Sequence, residues 1–379
     1  RGLTLSPTIS KIFEHVLLKR FNVYLQTSDL QFGFKKGLGT SDVLFTLRNV
    51  VEHLNRKGCT VNLSSLDISK AFDKISHYLL YTKLMDRGVP RSFIELLKCW
   101  YEKCTVQVRW NMSFSNVFSI KAGVRQGGVL SPALFAVYIN IIIESLSKSG
   151  LGCIINGSYL GCLLYADDML LISFSVTVMQ NMLDICTYNI TILDLKFNVK
   201  KSLFLRIGSR YKVICAPLIL DKQILAVSSE CKYLGMYITS AVSFRCTFVQ
   251  SKMKFYRAFN ALYSRVKTDN AECVCIELMR SYCLPIILYG CDVIKPTRCD
   301  LLMMNRLVNR VVARIFNTFD NDVIENLRTL LMLDTIESII NVRSLRFTTR
   351  FWNKRLYFIE AIYACGEHFK CVNKHAITM

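Results

Sequence analysis

The hydrophobic and polar positions of the chain repeat with two different periods, and together they predict a mixed α and β protein. Apolar residues recur at helical spacing over residues 8–22, 42–56, 91–102, 132–146 and 176–193, which predicts amphipathic helices there. Short apolar or alternating runs over residues 61–66, 105–110, 114–120, 203–207 and 231–239 predict strands and hairpins. From residue 244 onwards the pattern is again helical.

Local signals predict which side of a helix is buried and where some helices begin. The apolar side of the first helix consists of Ile12, Phe13, Val16, Leu17 and Phe21. Glu14 falls on the opposite side, which is predicted to face solvent. Thr40 or Ser41 is predicted to cap the second helix and Ser131 the fourth, and a further helix is predicted to start at Ala71.

Two acidic residues interrupt one of the most apolar stretches of the chain. Asp167 and Asp168 lie in the run 160–173, which predicts a strand, a turn and a second strand with both carboxylates at the hairpin tip. Carboxylates among apolar residues are costly unless something compensates their charge, and a divalent cation is the usual partner. Asp67, at the end of another predicted strand, supplies a third carboxylate. This combination is what a two-metal phosphoryl-transfer site requires.

Polar loops of the chain could bind phosphate, although each has a plainer interpretation. Residues 30–42 contain three glycines together with Lys35 and Lys36, so backbone N–H groups and ammonium charges could meet a phosphate there, or the loop is a simple turn. Gln126 and Gly127 precede a very apolar helix, as in a loop over a groove or in a turn. Residues 200–201 are lysines that are either solvated or close enough to reach phosphates.

Composition narrows the choice of partner. The 379 residues include 48 Lys and Arg against 28 Asp and Glu, a formal net charge of +20, which favours a polyanion such as nucleic acid or an anionic membrane surface. No apolar run reaches the ~18 residues of a membrane span. Aromatic residues alternate with basic ones after residue 244, and Arg306, Arg310 and Arg314 stand at helical spacing. This pattern suits a nucleic-acid groove, and a helix with one core face gives the same pattern.

The 16 cysteines are expected to be reduced thiols, because no secretory signal is present. Four potential zinc ligands cluster near the end of the chain, at Cys365, His368, Cys371 and His375. Their spacing matches no established zinc pattern and the loop is short for a tetrahedral ion. A chance cluster in a cysteine-rich chain is the better interpretation.

Taken in order, these segments resemble the reverse transcriptase domain of non-LTR (LINE-type) retrotransposons and, more distantly, the reverse transcriptases of group II introns and retroviruses. The resemblance covers residues 1 to about 240 and continues more loosely to about 315. Its blocks in chain order are RGLTLSPTISKIFE, QFGFKKGLGTSD, LDISKAFD, GVRQGGVLSPALF, YADD, LKFNVKKS and YLGMYI. YADD alone would be weak evidence, but seven blocks in the same order are specific.

The resemblance implies an α+β right-hand polymerase fold with fingers, a palm built on an antiparallel sheet, and a helical thumb. Residues 1–60 would form fingers, 61–240 the palm with interleaved fingers elements, and 241–318 a thumb-like helical region, while residues 319–379 have no predicted role. It also implies an RNA-directed DNA polymerase in which Asp67, Asp167 and Asp168 hold two Mg²⁺ ions, with Mn²⁺ as a possible substitute.

Substrate-binding roles follow from the same resemblance. Phe72 would be the steric gate that excludes a ribose 2′-OH, and Gln126 with Gly127 would lie under the template and the incoming nucleotide. Lys201, or else Lys200, would be near the triphosphate, as would Lys35 or Lys36 of the fingers. The segment implied to be the primer grip consists of Tyr233, Leu234 and Gly235.

The implied partners are an RNA template, a DNA primer or target, and dNTPs, with no membrane. An endonuclease domain is expected N-terminal to Arg1 in a longer polypeptide, and the expected location is the reducing cytoplasm and nucleus. Departures from the family pattern at residues 1–2, 38–39 and 194–195 leave open a catalytically drifted or maturase-like RNA-binding protein. An RNA-dependent RNA polymerase is disfavoured by Phe72, because that class usually has an Asp at this place.

Overall fold

The computed structural model describes residues 4, 6–266, 271–354 and 356–365. Its helices are α1 (Thr8–Phe21), α2 (Thr40–Arg56), α3 (His77–Asp86), α4 (Arg91–Glu102), α5 (Ser131–Ser149), α6 (Val176–Ile192), α7 (Val249–Val266), α8 (Glu272–Leu278), α9 (Leu284–Ile287), α10 (Arg298–Ile315), α11 (Asn321–Leu330), α12 (Ile336–Trp352) and α13 (Ile359–Cys365). A 3₁₀ turn (Asn22–Leu25) follows α1, and a π-helical turn (Met279–Cys283) joins α8 to α9.

The strands are β1 (Val61–Asp67), β2 (Thr105–Val106), β3 (Arg109–Trp110), β4 (Ser113–Phe114), β5 (Phe118–Ser119), β6 (Ile154–Ile155), β7 (Ser158–Tyr159), β8 (Cys162–Tyr165), β9 (Asp168–Ser173), β10 (Leu203–Ile207), β11 (Ile219–Leu220), β12 (Gln223–Ile224), β13 (Ala226–Val227), β14 (Glu230–Tyr233), β15 (Met236–Thr239) and β16 (Arg245–Thr247). The predicted strands over 61–66 and 203–207 and the predicted hairpins are therefore confirmed.

A five-stranded sheet in the order β13-β10-β1-β9-β8 forms the centre of the molecule. Strand β1 lies in its middle and runs antiparallel to both β10 and β9, while the short β13 runs parallel to β10. Helix α6 packs against β1 and β9, α5 packs against α6, and α2 contacts β1 and β8. Because the sheet is covered in this way, β8 and β9 are mostly apolar, and the middle strand β1 buries the polar Asn62 and Ser64 as well as Leu63.

A second sheet, in the order β14-β15-β16, leads into a helical region. Helix α7 packs against α8, α9 and α10. Phe255 and Phe259 of α7 are buried in this contact. The basic residues of α10 lie on its outer side, so the helix has both a core face and a charged face.

The predicted orientation of α1 is only partly correct, because Leu17 is buried as expected but the start of the apolar face is not. Ile12 is 59% exposed and Val16 is 55% exposed, whereas Glu14 is only 2% exposed. The Glu14 carboxylate accepts a hydrogen bond from the Leu130 N–H at 2.9 Å and lies 3.3 Å from the Arg125 guanidinium. The side of α1 that faces the protein therefore combines Glu14 with Leu17, because Glu14 is the partner of a partly buried arginine.

Predicted helix starts also differ. The helix expected at Ala71 begins instead at His77, because Lys70 takes a left-handed φ of 48° and the Ser76 hydroxyl caps the helix by accepting from Leu79. Helix α2 is capped at its start by Asp42, whose carboxylate accepts from the Gly39 N–H at 2.6 Å.

The hydroxyl groups predicted to cap α2 and α5 do not cap these helices. Those of Thr40 and Ser41 bond instead to Tyr289 and Asp292. Helix α5 already includes Ser131, and its N-cap residue is Leu130.

The C-terminal helix α12 packs against α2, near the start of the chain. Phe45 of α2 contacts Phe347 and Phe351 of α12, with ring centroids 5.2 and 4.7 Å apart. Lys354 forms an ion pair with the buried Asp42, and the Tyr357 hydroxyl donates to the Tyr159 carbonyl. The segment without a predicted role thus supports α2.

Metal-ligand groups, disulfides and membrane-spanning helices are not found among the described residues. Within them, no group of three or more His, Cys, Asp or Glu side chains is arranged so that it could hold a metal ion. His368, Cys371 and His375 lie outside the described residues. The described cysteines are free thiols. Among the helices of this part of the chain, none combines the length and apolar character needed to cross a bilayer.

Candidate active site

Two of the predicted carboxylates meet at one end of the central sheet. Asp67 is the last residue of β1 and Asp168 the first of β9, and the two are direct cross-strand partners. Side chains of such partners share one face, with Cβ atoms about 4.5–5.5 Å apart. Asp167 lies in the two-residue turn that joins Tyr165 to Asp168. The three acids therefore lie at the same end of the sheet, and their role as metal ligands stays a prediction.

Residues 196–202 brace the Asp67 end of β1. The Asp67 N–H donates to the Ser202 hydroxyl at 3.1 Å, and the Asp67 carbonyl accepts from the Asn198 N–H at 2.8 Å. Ser202 is fully buried and its hydroxyl donates to the Asn198 carbonyl. Because Lys201 belongs to the same turn, its ammonium is carried to the acidic end of the sheet.

A cavity of 520 Å³ opens beside Asp67. Its lining also includes Phe72, Asp73, Gln126 and Lys201. Within the described chain Lys200 does not line it, so the structure brings only one of the two neighbouring lysines to this cavity. The volume falls within the range of small-ligand sites, and both acidic and basic groups line the walls.

Phe72 is clamped between two other aromatic rings. Its ring stacks on Phe135 at a centroid distance of 4.5 Å, and Phe34 meets it edge-on at 5.9 Å. The Phe72 carbonyl accepts from the Val124 N–H at 2.9 Å. A Cβ at Gly123 would lie 2.9 Å from that carbonyl oxygen and Gly123 has a φ of 88°, so glycine is required there. The aromatic wall of the cavity is consequently rigid.

Gln126 reaches the same cavity from the loop before α5. Its side-chain N–H donates to the Asp73 carboxylate at 2.8 Å, and its backbone carbonyl accepts from the Thr4 N–H at 2.9 Å. The adjacent Gly127 has a φ of 103°. Below the loop, the Arg125 guanidinium lies 4.7 Å from the centroid of Trp100 and pairs with Glu14. This contact anchors α1 to the loop.

The fingers lysines lie apart from the acidic cavity. The Lys35 ammonium donates to the carbonyls of Thr27 and Ser28 and lies 3.6 Å from the Asp29 carboxylate. Burial lowers the pKa of Lys35, and the charge of Asp29 opposes part of that shift. Lys35 and Lys36 line a second cavity of 840 Å³, which is also lined by Lys354. The structure does not bring either lysine to Asp67.

The predicted primer-grip segment forms the turn between β14 and β15. Leu234 and Gly235 both have positive φ, at 46° and 83°. Tyr233 is 1% exposed, and its hydroxyl points to the Leu163 carbonyl of β8 at 3.4 Å. The Tyr289 hydroxyl donates to the Leu234 carbonyl at 2.8 Å. The turn is therefore fixed both to the acidic hairpin and to the helical region.

Several residues of the site were missed by sequence reasoning. Gln31 and Gly33 touch the acidic turn, Ser202 holds the Asp67 backbone, and Glu14 holds the loop that carries Gln126. The segment of Gln31 and Gly33 was recognised only as part of a glycine-containing loop. Nothing in its own pattern indicates a contact with residues far along the chain.

Comparison with known proteins defines the class of this protein. The family described as "Reverse transcriptase (RNA-dependent DNA polymerase)" matches residues 1–238. The chain belongs to this family. The α+β right-hand polymerase fold that the resemblance implied is therefore confirmed, with the five-stranded, mostly antiparallel sheet as its palm.

Particular relatives come from non-LTR mobile elements. The chain is 27% identical over 256 residues to the Pol polyprotein from the type-2 retrotransposable element R2DM of Drosophila melanogaster, covering 65% of this chain and 24% of that protein. It is 24% identical over 324 residues to the polyprotein from the type-1 retrotransposable element R2 of Popillia japonica, covering 83% and 44%. The chain thus spans less than half the length of these relatives.

The chain is also similar to a third mobile-element protein and to a solved telomerase structure. The RNA-directed DNA polymerase from the mobile element jockey of Drosophila funebris is 27% identical over 258 residues, covering 65% of this chain and 27% of that protein. Among solved structures, telomerase from Candida Tropicalis with a fragment of telomeric RNA aligns at a TM-score of 0.46 and 12% identity, over 95% of this chain and 57% of that one.

Proposed function

We propose that this chain is the polymerase part of a non-LTR retrotransposon protein, an RNA-directed DNA polymerase that extends a DNA 3′-OH with dNTPs. The observation that carries the proposal is the pairing of Asp67 with Asp168 across β1 and β9, with Asp167 in the adjoining turn. All three acids lie inside the region that matches the reverse transcriptase family.

The donor set fits the metal that this chemistry needs. Asp67, Asp167 and Asp168 offer only carboxylate oxygens, and Mg²⁺ is a hard cation that prefers oxygen ligands. These three residues would hold two Mg²⁺ ions. Bound there, the ions would supply activation of the primer 3′-OH and stabilisation of the charge on the leaving pyrophosphate.

The protein's own side chains would bind and orient the incoming nucleotide. The ring of Phe72, held between Phe34 and Phe135, would exclude a ribose 2′-OH and so favour dNTPs over rNTPs. Lys201 presents an ammonium group to the same cavity and suits the triphosphate. The Gln126 amide, which bonds to Asp73, could exchange that partner for a polar group of the nucleotide or template.

A basic face on the helical region supports binding of a nucleic-acid duplex. Arg306, Arg310 and Arg314 of α10 are exposed. Arg310 donates to the Tyr256 hydroxyl, and the Arg314 guanidinium lies 4.9 Å from the Tyr263 ring centroid. Guanidinium groups beside aromatic rings suit both phosphates and bases. Because the chain also carries a formal net charge of +20, we place the RNA template and DNA primer along this face.

The biological setting belongs to the same proposal. The printed names of the relatives, as retrotransposable elements, support copying of element RNA at a nicked genomic target. Such a reaction needs an endonuclease domain elsewhere in the longer polypeptide and access to both cytoplasm and nucleus.

The proposal is tested by primer extension on poly(rA)/oligo(dT) with Mg²⁺. Wild type is expected to incorporate dTTP, and the Asp167→Asn/Asp168→Asn double variant is expected to lose about 100-fold or more, since even residues behind metal ligands cost 10–100-fold. The matched control is Asp184→Asn on α6, whose carboxylate bonds only to Gln180 in the described contacts. Tight RNA binding without extension by folded wild type would instead indicate a drifted, RNA-binding copy.

A further inference from the structure

Residues Leu30 to Gly33 cover the open edge of the palm sheet at the acidic hairpin. Strand β8 is the last strand of the sheet. The Leu164 N–H donates to the Leu30 carbonyl at 2.9 Å, and the Phe32 N–H donates to the Leu164 carbonyl at 2.8 Å. Gln31 and Leu164 thereby form a parallel bridge. This short pairing ends one residue before the turn that carries the catalytic acids.

The Gln31 side chain uses its polar atoms on that turn. Gln31 is fully buried. Its side-chain oxygen accepts from the Ala166 N–H at 3.2 Å and from the Gly33 N–H at 3.1 Å. Its side-chain N–H lies 3.5 Å from the Ala166 carbonyl. One carboxamide therefore holds both backbone polar groups of Ala166.

Ala166 needs such support because of its conformation. Its φ is 57°, in the left-handed region that residues with a Cβ rarely adopt. A conformation of this kind persists only where surrounding contacts fix it. Asp167 and Asp168 follow directly, so the direction of both carboxylates depends on the geometry of the Ala166 peptide.

Gly33 completes the same support. A Cβ at this position would lie 2.3 Å from the Ala166 nitrogen and 3.2 Å from the Gln31 side-chain oxygen. No side chain fits, since real Cβ contacts are never that short and the obstacle is backbone. Glycine therefore allows the loop to approach the turn closely enough for the Gln31 bonds to form.

We propose that Gln31 is a positioning residue for polymerisation, and that Gly33 makes its position possible. Through the Ala166 peptide, Gln31 sets the orientation in which Asp167 and Asp168 present their oxygens to the divalent ions. The inference rests on the proposed polymerase function and deepens it, because it links the fingers loop to metal binding in the palm. Gln31 itself contacts neither nucleotide nor metal in this role.

The first test is Gln31→Met, which keeps the length of the side chain and removes its amide. We expect kcat for RNA-templated dTTP incorporation to fall by about 10- to 100-fold and the half-saturating Mg²⁺ concentration to rise several-fold, as for other residues that orient metal ligands. The KM for dTTP and the affinity for primer–template should stay within about two-fold, because neither contacts Gln31.

A matched control separates positioning from simple loss of a buried amide. Asn189 is 4% exposed and bonds to Ser145 and to the Ile185 carbonyl, away from the turn. Asn189→Leu should lower the melting temperature at least as much as Gln31→Met and leave the Mg²⁺ dependence unchanged. If Gln31→Met lowers only the melting temperature, with kcat and Mg²⁺ dependence as in wild type, Gln31 is merely structural and the inference is overturned.

Gly33→Ala gives an independent arm. It should reproduce the rise in half-saturating Mg²⁺, whereas Gly39→Ala should not, because the nearest atom to a Cβ there is the Asp42 carboxylate at 3.9 Å and Gly39 lines neither cavity. If Gly33→Ala has the same half-saturating Mg²⁺ concentration as wild type, the inference is also overturned.

Failure of the proposed function can be told apart from failure of this inference. Wild type without RNA-templated incorporation contradicts the function alone. In that case Mn²⁺ binding, measured by electron paramagnetic resonance without turnover, decides the inference. Weaker Mn²⁺ binding by Gln31→Met than by both wild type and Asn189→Leu supports it, and equal binding overturns it.

Discussion

Asp67 and Asp168 are direct partners across two neighbouring antiparallel strands, although about two fifths of the length of the matched domain separates them in sequence. Apolar pairs behind them, Leu66 with Met169 and Leu63 with Ile172, fix the same register. A slip by one residue would turn every side chain of β9 to the other face of the sheet. The buried core of the sheet therefore determines where Asp67 and Asp168 meet.

The clamped ring of Phe72 predicts the sugar selectivity of the enzyme. Replacing it by a smaller side chain removes the wall between Phe34 and Phe135 and admits a 2′-OH. For Phe72→Val we expect the preference for dTTP over UTP to fall by about 10- to 200-fold, the range for filling or emptying a small pocket. Single-nucleotide incorporation with each nucleotide measures this ratio.

The control for the gate is Phe93→Leu on α4, a buried aromatic residue outside the cavity lining. It should keep the wild-type nucleotide preference. An unchanged preference in Phe72→Val would mean that another side chain discriminates the sugar.

The arginines of α10 predict a specific salt dependence of primer–template binding. Arg306 is exposed and lines a small groove with Lys252 and Arg310. If Arg306 contacts a phosphate, Arg306→Ala should reduce the slope of log affinity against log salt by about 0.7–1, for every sequence alike. Fluorescence anisotropy at several salt concentrations measures this slope.

Arg91→Ala is the matched control, because Arg91 is also exposed, on α4, and pairs only with Glu95 in the described contacts. We expect its slope to equal that of wild type. Identical slopes for wild type and Arg306→Ala would mean that the bound nucleic acid does not contact α10 through Arg306.

The buried Glu14 predicts a large effect of a substitution in α1. Glu14→Ala would leave the Arg125 guanidinium and the Leu130 N–H without their partner. Removing one member of a buried pair costs about 3–5 kcal/mol, and the lower end is expected because Arg125 keeps 15% exposure and its contact with Trp100. Urea denaturation gives the free energy of unfolding.

Glu95→Ala breaks the exposed pair with Arg91 and should change the free energy of unfolding by less than about 1 kcal/mol. Comparable losses in the two variants would contradict the buried role of Glu14.

The contacts between α12 and α2 predict that aromatic residues of α12 stabilise α2. Phe351 of α12 is fully buried against Phe45. Phe351→Ala is therefore expected to lower the free energy of unfolding by about 3–5 kcal/mol. Phe319, in the same part of the chain, is 92% exposed, so Phe319→Ala should leave thermal and urea unfolding almost unchanged. Equal effects would show that α12 does not brace α2.

Much of the palm could be predicted from sequence, because its information is local. The apolar runs on either side of the acidic turn define β8 and β9 by themselves, and the break at Ala166 and Asp167 defines the turn. The orientation of α1 could not be predicted in the same way. An apolar helix face indicates what is hydrophobic, whereas Glu14 is buried by a charge pair with a residue far along the chain.

The same limit applies to Gln31 and to the fingers lysine. A polar side chain in a glycine-containing loop gives no signal of its tertiary partner, so the contact of Gln31 with Ala166 appears only in the fold. Lys35 carried the right charge for a triphosphate, but local carbonyls and Asp29 hold its ammonium in another cavity.

The most direct test of the central claim is to count the divalent ions held by the paired carboxylates. Mn²⁺ bound to the complex with RNA template, DNA primer and a non-hydrolysable dNTP would be measured by electron paramagnetic resonance, for wild type and Asp67→Asn. The account predicts two ions in wild type, and at least one fewer in Asp67→Asn together with loss of primer extension. The same number of ions and wild-type extension in Asp67→Asn would contradict it.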